Sequence, residues 1–125
     1  MKTLAIYGCI ALGGAVGAIA RYALATASAA AFGTGFPAGT FIINITGSLF
    51  LGWFYTIAMR MQVSDFARIG IATGFVGAYT TFSTWMYESD VLMRDGAMAK
   101  ASVNVIGSVI VGLAAVRVGV WLGAR

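Results

Sequence analysis

Asn44 and Ser48 stand four residues apart, and Asn104 and Ser108 repeat that pair later in the chain. Residues at i and i+4 share one helix face, so each pair marks a polar stripe. In an apolar helix two chemistries are open to such a stripe. It can hydrogen-bond to neighbouring helices as glue, or it can line a path for an ion or small solute. Between the pairs lies a denser run, Gly74-Phe-Val-Gly77-Ala-Tyr-Thr80-Thr81-Phe82-Ser83-Thr84-Trp85. Glycines followed by consecutive Thr and Ser are poor material for an uninterrupted helix. Their hydroxyls compete for backbone hydrogen bonds. The run predicts a helix that is bent by these hydroxyls or broken near Gly77–Thr81. A break at membrane depth is tolerated only where it is buried in protein or lines an aqueous cavity. Carbonyls freed at such a break can hold a cation, and freed amides an anion.

Other chemistries are excluded by inventory. The 125 residues include no histidine and one cysteine. A His/Cys metal site, a Ser-His-Asp triad and a disulfide framework therefore have no material. Cys9 reads as an apolar residue of the first helix rather than a reactive thiol. No Asp or Glu precedes Asp65, and Glu88 is the only acid near the hydroxyl run. Enzyme function finds no embedded nucleophile–base pair. Charged residues make up 10% of the chain and apolar ones 60%, with 17 glycines besides. Soluble domains carry about 25% charged residues, so this chain cannot clothe a soluble surface. Its net charge of +4 is too dilute for a phosphate-binding stripe, so nucleic acid is not an expected partner. The expected surroundings are membrane lipid.

The elements that must position these residues follow from charge spacing. A membrane-crossing helix needs about 20 mostly apolar residues. Spans are expected at about 3–26, 38–59, 69–89 and 99–122, as one four-helix transmembrane domain over 1–125. The cluster Gly33-Thr-Gly-Phe-Pro37 separates the first two spans, as Gly and Pro mark turns. Residues 60–68 and 89–100 read as polar connections. Lys2, an apolar run and Ala25-Thr26-Ala27 resemble a signal peptide with its cleavage site. The run is longer than the usual core of about 7–15 residues, and Arg21 interrupts it, so a retained first span is expected. Small residues at four-residue spacing (Gly13 and Gly17, Ser48 and Gly52, Gly70 and Gly74, Ser108 and Gly112) allow close helix approach in lipid. The termini and second loop share Lys2, Arg60, Arg68, Arg117 and Arg125, against Arg21, Arg94 and Lys100 on the other side. This bias fits one shallow preferred topology or insertion in both directions.

The stretch Thr73 to Thr84, T-G-F-x-G-x-x-T-T-F-S-T, resembles the signature of the Fluc (CrcB) fluoride channels. Gly13-Gly-Ala-Val-Gly17 followed by Arg21, Pro37-Ala-Gly-Thr40 leading to Asn44, and Asn104 with Ser108 agree in order and spacing. The likeness covers essentially the whole chain. It implies an all-α membrane protein with four transmembrane helices per chain, the third broken mid-span. It implies an antiparallel, dual-topology homodimer in the bacterial plasma membrane, with two pores. By the same resemblance a structural sodium ion lies at the dimer centre, on the backbone carbonyls of Gly77 and Thr80. Each fluoride pore would draw on Asn44, Phe82, Ser83, Thr84, Trp85, Asn104 and Ser108, with Arg21 at a pore mouth or as an interfacial anchor. The implied activity is passive export of fluoride.

Physics accommodates these roles. An aromatic ring has a positive edge. Ring edges, an amide NH2 and hydroxyl protons can partly replace the hydration shell of a small anion in a narrow filter. The chain departs from the family pattern at Trp85, where a second phenylalanine is usual, and at Met86, where a serine follows. Gly77-Ala78 stands for a glycine pair, and Gly112 and Val116 for polar positions. Trp85 is expected to keep the aromatic role and to add an N–H donor, and the polar track to be shorter. Two rivals stand beside this reading. One is a small proton-coupled multidrug exporter using Glu88. The other is a structural membrane subunit without transport of its own.

Overall fold

The computed structural model describes residues 2–125, all in helices and short turns. Helix α1 is Lys2–Phe32 and α2 is Ala38–Arg60. A third helical run, α3, covers 65–79. It begins as Asp65–Ile69, widens through Gly70–Val76 and closes with the turn Gly77–Tyr79. Helix α4 is Phe82–Arg94, and α5 is Met98–Ala124 with a widened stretch at Val103–Gly107. Helices α1, α2 and α5 are each long and apolar enough to cross a membrane.

The connections are shorter than charge spacing alone predicts. Helix α1 runs past the expected end of its span, through the alanine cluster to Phe32, and ends at Gly33 in a left-handed conformation (φ +75°). Alanine is the best helix former, so the cluster extends the helix rather than ending it. Residues 60–68 were expected as a connection, yet only 61–64 lie outside helices. Ser64 caps the next helix by accepting from the Ala67 amide at 3.4 Å, and Arg68 pairs with Asp65 one turn on. Residues 89–100 were likewise read as a wet connection. The structure corrects this: α4 continues to Arg94, and the turn is Asp95–Ala97 around Gly96 (φ +75°). Two of the charges that suggested a loop, Asp90 and Arg94, lie on one helix face and pair at 2.8 Å, while Ser89 is buried.

Small residues set the packing. Gly13 and Gly17 of α1 lie directly against the α3 backbone at Gly70 and Phe75, and Gly74 returns the contact at Ile10. The two expected small-residue pairs therefore interlock with each other. Helix α2 meets α5 the same way, through Gly52 against Val116 and Gly119 and Gly123 against Leu49, Trp53 and Thr56. Arg60 closes this pair by donating to the Gly123 carbonyl at 2.7 Å, which satisfies an orphan acceptor at the end of α5. The buried apolar set is small: Ile43, Phe54, Ala58, Ala72, Val76, Ala101 and Ala115. Large apolar side chains such as Leu12, Ile19, Ile110 and Leu113 point outwards. That inversion of the soluble pattern suits a lipid surround, where helices associate by close packing rather than by the hydrophobic effect.

Candidate functional site

The site is built where helical bonding stops. Thr80 (φ −79°, ψ 158°) and Thr81 (φ −148°, ψ 121°) are extended between α3 and α4. In a continuous helix the Thr81 amide would bond to the Gly77 carbonyl. Here it donates to Asn44 Oδ1 at 2.9 Å, and Asn44 Nδ2 donates back to the Thr81 carbonyl at 3.0 Å. One amide side chain thus holds both polar groups of one extended residue, as a strand partner would. The Thr84 amide would similarly reach back to Thr80. It donates instead to the Thr81 hydroxyl at 3.3 Å, and that hydroxyl donates to Thr84 Oγ1 at 3.0 Å. Thr81 is the N-cap of α4. The carbonyls of Gly77 and Thr80 are left without their usual helical donors.

The interruption opens on a cavity of about 430 Å3. Asn44, Thr80, Thr81, Phe82, Trp85 and Ser108 line its polar and aromatic part, and Leu51, Gly112, Leu113 and Val116 its apolar part. None of its lining residues is charged. Phe82 and Trp85 meet edge to face, their rings 5.5 Å apart at 75°. Phe82 is 71% exposed, which leaves its ring free on one side. The Ser108 hydroxyl is buried and has no hydrogen-bond partner among the described residues. A second cavity, of about 550 Å3, lies by the Gly33–Pro37 turn, with Thr40, Glu88, Asp95 and Lys100 on its walls. There Thr40 donates to Glu88 Oε1 at 2.9 Å, while Lys100 reaches the Gly35 carbonyl at 2.9 Å.

Comparison with known proteins decides the family. Residues 8–120 match the family described as CrcB-like protein, Camphor Resistance (CrcB). The chain is 46% identical over 115 residues to a protein of Chloroflexus aurantiacus named fluoride-specific ion channel FluC, which covers 91% of each chain. A protein of the same name from Shewanella amazonensis is 41% identical over 110 residues, covering 88% of this chain and 89% of that one. Another, from Opitutus terrae, is 40% identical over 123 residues, covering 96% and 90%. This chain belongs to the CrcB family. It is a multi-pass membrane protein, and the family is one of ion channels, not enzymes.

The family motif residues do not all gather at one place. Asn44, Thr80, Phe82, Trp85 and Ser108 come together around the interruption. Ser83 and Thr84 are exposed on the first turn of α4 and do not line the cavity. Gly77 stands a turn before the interruption, in helical conformation (φ −61°). Arg21 is half-buried on α1 and lines neither cavity. Asn104 is fully enclosed: its Nδ2 donates to Ser89 Oγ at 2.9 Å, and its carbonyl accepts from the Trp85 indole at 2.9 Å. The extra donor expected of Trp85 is thus engaged within the chain. Gly112 and Val116 do line the cavity, so its wall beyond Ser108 is apolar.

Three contacts escape sequence reasoning. Thr81 was legible only as part of a hydroxyl run, although it is the residue that Asn44 grips. The Thr40–Glu88 contact joins positions far apart in sequence and has no local signal. Ser89 carried a signal, since it lies one turn after Trp85 on the same helix face. Its hydroxyl donates to the Trp85 carbonyl at 2.8 Å.

Proposed function

We propose that the chain is the subunit of a fluoride-selective channel that lets fluoride leave the cytoplasm passively. The observation that carries this reading is the grip of Asn44 on Thr81 at the mouth of an uncharged cavity edged by Phe82 and Trp85. The names of the relatives, each a fluoride-specific ion channel over nearly the whole chain, support it. Fluoride is small and strongly hydrated, so a selective path must replace water with several weak donors. The free ring of Phe82, the edge of Trp85, the second Asn44 N–H and the Ser108 hydroxyl supply such donors. Without a fixed cation in the wall, the ion is not trapped and moves on.

In this reading the Thr80–Thr81 interruption is the mid-membrane break of the third span. Two chains pack as an antiparallel, dual-topology homodimer with two pores. The exposed ring of Phe82 beside a polar cavity supports a second copy as its cover. Gly77 and Thr80, whose carbonyls lack their helical donors, would hold a sodium ion at the dimer centre. Backbone oxygens suit such a hard cation, whose charge would tie the two interrupted helices together. Ser83 and Thr84 complete the motif on the first turn of α4, Asn104 backs Trp85, and Arg21 raises the potential for anions near a pore mouth.

One observation favours a second reading. Glu88 Oε2 is buried and has no hydrogen-bond partner among the described residues. An embedded carboxylate of that kind is what a proton-coupled exporter needs. Expression in bacteria stripped of their own fluoride exporters separates the two. Restored growth in millimolar fluoride that survives Glu88→Gln supports the channel. Proton-dependent dye efflux abolished by Glu88→Gln, without fluoride tolerance, supports the exporter.

A further inference from the structure

Three hydrogen bonds close a ring between α4 and α5. The Trp85 indole N–H donates to the Asn104 carbonyl at 2.9 Å, Asn104 Nδ2 donates to Ser89 Oγ at 2.9 Å, and the Ser89 hydroxyl donates to the Trp85 carbonyl at 2.8 Å. Ser89 is 2% exposed and Asn104 0%. Asn104 lies in the widened stretch Val103–Gly107, where the Ser108 amide is shared between the Asn104 and Val105 carbonyls. Widened turns of this kind are uncommon and recur at functional sites. With one amide proton given to Ser89 and its side chain fully buried and absent from both cavity walls, Asn104 presents no donor to an ion in the cavity. What the ring does hold is the plane of the indole, which meets Phe82 at 75°.

We infer that Ser89 and Asn104 are positioning residues for Trp85: they lock its ring edge towards Phe82 and so set the aromatic part of the ion path, without touching the ion. The inference rests on the channel reading. Phenylalanine at position 85 would have no such strap, so the ring is a device specific to the indole. Removing the Ser89 hydroxyl strands the buried Asn104 amide. A stranded donor turns to find another acceptor, and α4 loses its tie at Ser89 to the α5 turn whose Asn104 main-chain carbonyl holds the indole.

The test uses the full chain in liposomes, with Trp53→Phe and Trp121→Phe so that Trp85 is the sole indole. Ser89→Ala shifts Trp85 emission to shorter wavelength, as the indole loses its hydrogen bond, and slows fluoride efflux about tenfold. Ser89→Thr keeps the hydroxyl and restores both. Ser89→Cys, a weaker donor of similar size, lies between. In a Trp85→Phe chain, Ser89→Ala changes efflux by less than about twofold, because contacting residues couple and the strap is already gone. An equal loss in both backgrounds overturns the inference, since Ser89 would then act on the bundle or the ion. Unmoved emission in Ser89→Ala overturns it as well. If the parent protein passes no fluoride, the channel reading falls, and the emission series still decides whether the ring holds the indole.

Discussion

At the residue scale the account turns on Asn44. Among the described residues its side chain is the only partner of the Thr81 amide and carbonyl outside their own turn. Asn44→Ala strands both, at about 1–3 kcal/mol for each buried group. The interruption then loses its shape, and fluoride efflux falls by at least about tenfold. Asn44→Asp keeps the acceptor for the Thr81 amide but turns a carboxylate on the Thr81 carbonyl, so it does not rescue. Efflux measured for the two variants checks this, and wild-type rates in Asn44→Ala would refute it. Asn44 was legible in the sequence as a polar residue in an apolar helix, because burial makes such a residue expensive. Its partner was not, since nothing local to α2 says which backbone it will meet. Asn104 shows the converse. Its type and spacing matched Asn44, yet its amide is spent on Ser89, and only the packing of α4 on α5 reveals that.

At the element scale the predictions concern close approach and capping. Gly119 lies on the α2 backbone at Leu49 and Trp53, so Gly119→Ala forces α5 off α2. The expected loss is about 1–3 kcal/mol, read as a lower midpoint of unfolding in detergent. Gly8 has open space around it, so Gly8→Ala is neutral or stabilises by up to about 1 kcal/mol through helix propensity. A common effect of the two would contradict the packing described here. Thr81→Val removes the cap of α4 and costs about 1 kcal/mol, while Thr81→Ser retains it. Spans were legible because apolar length is set by the bilayer. Their ends were not. The charges at 90–94 pair along a helix rather than solvate a loop, and the alanines at 27–31 extend α1. The α1–α3 glycine contacts were visible as spacing, whereas Gly119 and Gly123 were hidden among the many small residues of α5.

At the scale of the whole molecule, the exposed Phe82 ring and the Gly77 and Thr80 carbonyls, which lack their helical donors, are what the proposed dimer would cover. Replacing sodium throughout with a bulky organic cation is expected to lower the thermal stability of the proposed dimer, and returning sodium to restore it. Indifference to sodium would remove the cation from the account. Selectivity for fluoride is tested directly in liposomes. Purified protein in liposomes is loaded with equal fluoride and chloride, and efflux of each is followed by its own electrode. Rapid fluoride efflux is expected, at least about a hundredfold faster than chloride, in keeping with a narrow filter built from weak donors. Chloride efflux as fast as fluoride, or no fluoride efflux from folded protein, would overturn the channel reading.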